Sequence, residues 1–211
     1  MNCGACGRVC DPTHTVNVSC KAGVCDSTCL SGYVNIVRPA APNVDDGCEA
    51  PGRRVFVTST GIPANFGGTA GADAACMQTA SVATLGGQWM AWTSDESSSP
   101  SIRFTQSTVP YVLLDGTPIA ASWTALTTSQ SVMHAIDIDE NGASVGVAEV
   151  WTGTNTDGTL LPGSSFCVDW TSNLMSDQTN VGRTDLTDFE WTNVFFQTCE
   201  RTGVRLFCFE Q

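Results

Sequence analysis

The chain has 211 residues, 42% of them hydrophobic and only 14% charged, with 21 acidic against 9 basic residues and a net charge of −12. That length carries one sizeable core plus a small module, and that charge makes a nucleic-acid backbone an unfavourable partner. No apolar run approaches the roughly 18–20 residues of a membrane-spanning helix.

Eleven cysteines lie in sequence rich in Gly, Ser and Thr, so disulfides in an oxidising compartment explain them better than metal clusters in a reducing one. Seven fall within residues 3–48 and four in the remainder. This shift divides the chain into a Cys-rich module, residues 1–50, and a larger domain, residues 51–211. "NCGACGRVC" and "SCKAGVCDSTCLSGY" hold too few apolar residues for a core, so bridges must hold the module. Cys3, Cys6 and Cys10 have a spacing that zinc tolerates, but His14 is the only imidazole nearby and disulfides are the plainer account. Seven is odd, so one cysteine is free or separated from its partner. The chain opens on Met1-Asn2-Cys3 with no basic and apolar leader, which reads as an excised part of a longer secreted or cell-surface protein. The stretch C-G-x-C-G-x-x-C … G-x-C … G-C-E resembles the Cys-rich repeats of large secreted myxobacterial-type proteins. It departs from them at "RPAAPNVDDG", where such repeats usually carry one more cysteine.

Beyond residue 52 the pattern changes. "RRVFVTST" (53–60), rich in β-branched and aromatic residues, predicts a strand. "GTAGADAACMQTASVA" (68–83) sets Ala72, Ala75, Cys76 and Ala80 at helical spacing and predicts a short amphipathic helix. "YVLLDGTPIA" (111–120) is an apolar run broken by an Asp-Gly turn, and "ASWTALTT" (121–128) suggests a second short helix. The rest alternates, with turn residues every 8–12 positions, as several short antiparallel strands would. This order argues for an α+β fold rather than a doubly wound parallel sheet.

"HAIDIDENGASV" (134–145) contains the D-x-D-x-N-G opening of a calcium loop. The twelfth position, which needs a bidentate carboxylate, is Ala148; Glu149 comes one residue late. Folded instead about Asn141-Gly142 as a two-residue type I′ turn, Asp139 faces Ser144, Ile138 faces Val145 and Ile136 faces Val147. The four β-branched residues then share one face, with Asp137 and Asp139 on the other. A hairpin is the expectation. Five of the six tryptophans are followed by threonine, at 92, 123, 151, 170 and 191. Trp-Thr suits a half-buried strand, ring inward and hydroxyl outward. Exposed rings stacking on sugars are the functional alternative.

Cys76, Cys167, Cys199 and Cys208 allow three pairings. One cysteine on the first helix, one in the last strand and two between them is an order that resembles a C-type-lectin-like domain, as does the ending "EWTNVFFQTCERTGVRLFCFEQ". That resemblance implies the pairs Cys76–Cys208 and Cys167–Cys199. Over about residues 53–211, "RRVFVTSTGIPANFGGTAGADAACMQTA", "MAWTSDESSSPSIRFTQSTVPYVLLDGTPIA", "VWTGTNTDGT" and "RLFCFEQ" together look like a bacterial domain family of uncharacterised function. That family includes endostatin-like surface proteins of spirochaetes. The resemblance implies a C-type-lectin-like, endostatin-like fold, a secreted or cell-surface location, and adhesion to a glycan or extracellular protein.

Lectins of that type hold calcium through a Glu-Pro-Asn triplet and a Trp-Asn-Asp segment. Neither is intact here: Trp191-Thr192-Asn193, flanked by Asp188 and Glu190, stands in place of the second. "GTNTDGT" (153–159) offers Asn155 and Asp157 in an Asx-rich turn. The candidate ligand-binding residues are therefore Asn155, Asp157, Asp188, Glu190 and Asn193, with Asp157, Asp188 and Glu190 as a possible calcium set. An enzyme finds less support. The larger domain has one histidine, His134, and neither G-x-S-x-G nor H-E-x-x-H. Asp185, Asp188 and Glu190 are carboxylates of the type that cleave glycans, and also of the type that solvate an acidic surface. Arg103, Arg183, Arg201 and Arg205 suit anionic ligands, while pairing with the excess carboxylates is the plainer account. The reading is a non-catalytic binding module; an extracellular hydrolase or accessory domain, or a structural part of a surface assembly, are the alternatives.

Overall fold

The structure, a computed structural model, describes residues 10–18, 20, 21, 24, 25, 28–35, 48 and 50–211. Among the described residues, the N-terminal part is held by two-residue ladders and sulfur. Strand β1 (Thr15–Asn17) pairs with β4 (Thr28–Cys29), β2 (Cys20–Lys21) with β3 (Val24–Cys25), and β5 (Tyr33–Val34) with β6 (Ala50–Pro51), all antiparallel. A disulfide joins Cys29 to Cys48. Cys10 is also disulfide-bonded, which removes it as a zinc ligand; Cys3, Cys6, the segment 38–47 and hence the identity of the odd cysteine lie outside the described residues.

The predicted strand is β7 (Arg53–Val57), the centre of a five-stranded sheet. Its neighbours are β14 (Phe207–Glu210), antiparallel, and β9 (Tyr111–Leu113), parallel. Outside these lie β8 (Trp89–Ala91) against β14 and β10 (Pro118–Ala120) against β9. The Asp-Gly turn thus joins β9 to β10 as expected. Both faces of the sheet are covered, which is why Val55–Val57 and Phe207–Phe209 of its central strands are apolar at every position. Phe56, Ala91 and Cys208 face helix α1 (Gly68–Val82) and its buried Ala72, Cys76 and Ala80. Val55, Val57, Phe207 and Phe209 face a second cluster with Trp92, Trp123, Trp191 and Ile136. The Cys76–Cys208 disulfide crosses from α1 to β14 over 132 residues, worth about 5 kcal/mol if its effect is loss of unfolded-chain entropy. Two short helices, α2 (Pro100–Arg103) and α3 (Trp123–Thr128), complete the regular helical content.

Strands β11 (Glu149–Trp151), β12 (Gln178–Arg183) and β13 (Phe195–Thr198) form a separate antiparallel sheet. It is sewn to the first at Arg205, whose backbone pairs in parallel with Val150. Few helices and several small sheets make this an α+β protein.

Two expectations need correction. The hairpin at 134–145 exists, but its register is shifted by one: Ile138 bridges Ser144, and the Asp139 N–H donates to the Ala143 carbonyl at 2.8 Å. Only Gly142 of the turn has positive φ, at 79°, so the loop is a type I turn followed by a left-handed glycine rather than type I′. The Asp139 carboxylate explains the choice, because it accepts from the Asn141 and Ala143 amides at 2.8 and 2.9 Å and fixes that turn. Asp139 is consequently buried and Val147 is 70% exposed, against expectation, while Ile136 is buried and Ile138 and Val145 pack on the core as expected. The Trp-Thr pairs also differ: of the five tryptophans only Trp151 lies in a strand, and Thr93, Thr152 and Thr192 are fully buried, while Thr124 and Thr171 are exposed as expected.

Residues Phe166–Trp170 coil with the opposite hand, all five at φ between 44° and 59°. Non-glycine residues resist this conformation by about 1–2 kcal/mol each, so the neighbours must enforce it. Cys167 is bonded to Cys199, Trp170 is fully buried and donates its indole N–H to the Ser94 carbonyl at 2.8 Å, and Asp169 accepts from the Glu96 amide at 3.0 Å.

Candidate functional site

Three of the five threonines that follow tryptophan, Thr93, Thr152 and Thr192, form a buried ladder. Thr93 donates its hydroxyl to the Thr152 carbonyl, Thr152 to the Thr192 carbonyl, and Thr192 to the Thr154 carbonyl, at 3.1, 2.6 and 2.9 Å. Trp92 donates its indole N–H to the Thr192 hydroxyl at 2.8 Å. The Thr152 and Thr192 hydroxyls satisfy the Thr192 and Thr154 carbonyls in the dry interior, while the Thr152 carbonyl accepts from the Ser94 amide as well as from Thr93. The ladder fastens residues 153–159 to residues 188–193, which are separate loops in the sequence.

Beside the ladder, Asn180 on β12 donates its amide to the Asn193 side-chain oxygen at 2.8 Å. Gly182 lies two residues on, where a Cβ would come within 2.1 Å of the Trp191 carbonyl oxygen; only glycine lets the 3-10 turn Phe189–Trp191 pack this closely. Above them Asn155 donates its amide to the Leu160 carbonyl at 3.1 Å, and Asp157 accepts from the Thr159 amide and hydroxyl at 2.9 and 2.6 Å. Asp188 caps its turn by accepting from the Glu190 amide at 3.1 Å. Asp157 and Asp188 are exposed, while Asn155, Glu190 and Asn193 are half-buried. The fold therefore brings the two loops carrying the five candidate residues side by side. It does not bring the carboxylates into a metal cage: among the described residues no three of His, Cys, Asp and Glu are placed to hold an ion, Asp157, Asp188 and Glu190 included.

The arginines divide. Arg103 holds Asp73 through both carboxylate oxygens, at 2.8 and 2.6 Å, and the Ala91 and Thr93 carbonyls at 2.9 Å each, a structural clamp between α1, α2 and β8. Arg183, Arg201 and Arg205 line one open cleft of about 450 Å³ with Glu149 and Phe195. Arg183 is bidentate on Asp185 at 2.9 and 2.6 Å, and this guanidinium holds the Asp185 carboxyl below the usual carboxylate range. Arg201 stands 3.6 Å from Glu149. The ring of His134 hydrogen-bonds the Pro118 carbonyl at 2.8 Å, which ties it to β10 and not to a serine nucleophile.

Asn180, Thr154 and the convergence of three arginines are invisible in the sequence, because each depends on register between distant segments. No protein-family model matches the chain, and no curated protein matches it.

Proposed function

We propose that this chain is a secreted or cell-surface binding module with a C-type-lectin-like fold, akin to the endostatin-like bacterial surface domains its sequence resembles. Its task is to hold a glycan or extracellular protein against residues 153–159 and 188–193. The observation that carries the reading is the Thr192–Thr154 fastening. Two loops bearing hydrogen-bonding side chains are set on a buried base of threonine hydroxyl–carbonyl hydrogen bonds, and such preorganisation lowers the ordering cost of binding. Amides and carboxylates at the rim offer donors and acceptors for sugar hydroxyls or peptide groups. The disulfides and the lack of any helix long and apolar enough to cross a membrane among the described residues agree with an extracellular setting.

A glycan array probed with the whole chain, with and without calcium, tests this. Binding that Asn155→Ala and Asn193→Ala each weaken supports the reading. Binding unaffected by both variants, or no binding to any glycan or matrix protein, overturns it.

A further inference from the structure

The cleft of Arg183, Arg201 and Arg205 shares no residue with the two candidate loops, and its chemistry is different. The whole chain has nine cationic side chains against 21 acidic ones, yet three of the nine line this one cleft. Charge balance inside it is incomplete. Arg183 is neutralised by Asp185, and Arg201 meets Glu149 only at 3.6 Å. Arg205 has no carboxylate within ion-pair distance among the described residues; one terminal nitrogen donates to the Thr58 carbonyl, and its Nε is buried without a partner. A guanidinium never gives up its charge, and an arriving anion supplies the counter-charge that Arg205 lacks.

The other walls narrow the ligand further. Phe195, 39% exposed, offers an apolar ring face, and Glu149 and Thr202 offer acceptors for hydroxyl groups. The volume falls within the roughly 300–1,000 Å³ of small-ligand clefts.

The geometry points to a second binding site in this cleft, specific for a carboxylate-bearing sugar: a hexuronate residue of an acidic polysaccharide. Its carboxylate lies between Arg205 and Arg201, its ring on Phe195, and its hydroxyls donate to Glu149 and Thr202.

The test is calorimetric titration of the whole chain with a trigalacturonate, against the neutral galactose trisaccharide and an Asp/Glu-rich peptide. The trigalacturonate binds, salt weakens it, and the neutral sugar binds about 10- to 100-fold more weakly, as loss of a charge-assisted contact implies. Arg201→Gln, on a largely exposed side chain, lowers affinity about 10-fold or more on the same grounds. Arg205→Lys keeps the charge, loses the fork and also weakens binding; melting curves confirm that both variants fold. No heat from trigalacturonate at millimolar concentration, equal affinity for the neutral sugar, unchanged affinity in Arg201→Gln, or tighter binding of the peptide overturns the proposal.

Discussion

Thr192 accepts a hydrogen bond from the Trp92 indole at 2.8 Å and passes its own to the Thr154 carbonyl at 2.9 Å, with neither threonine exposed to solvent. One hydroxyl therefore links the second core cluster to both candidate loops. Thr192→Val keeps the shape and removes the hydroxyl, leaving a buried donor and a buried acceptor unmade. The cost is about 2–6 kcal/mol at about 1–3 per orphaned group, measured by urea unfolding. Ligand binding at residues 153–159 weakens with it. A variant as stable as the parent would show that the ladder contributes little.

Gly182 sets how closely the turn carrying Asp188 and Glu190 approaches β12. In Gly182→Ala the added methyl meets the Trp191 carbonyl and the Thr192 Cα, at 2.1 and 2.8 Å in the parent geometry. Both are backbone, so the whole segment has to move. We expect a loss of about 1–3 kcal/mol or more, typical of overpacking, together with weaker binding by the loops. Unchanged melting would show that the two segments are not packed this way.

These two sites mark where sequence reasoning stops. The β-branched and aromatic residues of Arg53–Val57, the Ala/Cys spacing of Gly68–Val82 and the Asp-Gly turn are local signals, and the elements stand where those signals put them. Asn141-Gly142 identified a turn, but the Asp139 carboxylate two residues before Asn141 decided its type, and a one-residue change of loop length moved Val147 to the surface. Trp-Thr predicted burial of the rings correctly, and outward hydroxyls correctly at Thr124 and Thr171 but wrongly at Thr93, Thr152 and Thr192, because a threonine beside irregular backbone is worth more inside, capping a carbonyl, than outside in water. Nothing in "FCVDW" announces a left-handed turn, since no glycine marks it; the disulfide and Trp170 impose it from elsewhere. The arginine cleft is likewise a product of register, Glu149 lying opposite Arg183 and the Arg205 backbone pairing beside Val150.

Asp95 caps α1 from a distance, accepting from the amide and hydroxyl of Thr69 at 3.3 and 3.1 Å and of Ser97 at 3.0 Å each. Burial alone would raise its pKa, but these four hydrogen bonds favour the charged form and outweigh it, so the carboxyl sits below its ordinary value of 3.8. A depressed carboxylate pKa stabilises the fold above the unfolded value, and that stability is lost as pH falls toward the folded one. Asp95→Asn should therefore melt below the parent at neutral pH, by an amount equivalent to about 1–2 kcal/mol for a lost cap. The gap should narrow as pH drops below about 4, the ordinary carboxylate range. Melting curves of both proteins from neutral pH downward check this; a gap that widens with acid would reverse the assignment.

Val168 is 54% exposed and holds φ at 55° in the middle of the left-handed turn. A β-branched residue is among the least suited to that conformation, and its side chain contributes little to the core in return. Glycine visits the left-handed region freely, so Val168→Gly removes strain of about 1–2 kcal/mol. Against this stands about 0.4–1 kcal/mol of added unfolded-chain entropy. The balance favours the variant by up to about 1.5 kcal/mol, an uncommon case of a glycine that stabilises a protein at a non-glycine site. Urea unfolding of Val168→Gly beside Val168→Ala separates the causes. Alanine shortens the side chain but keeps the left-handed penalty, so glycine must come out the more stable of the two. The opposite order would mean that residues 166–170 do not coil left-handed in solution, and that the Cys167–Cys199 disulfide holds a different turn.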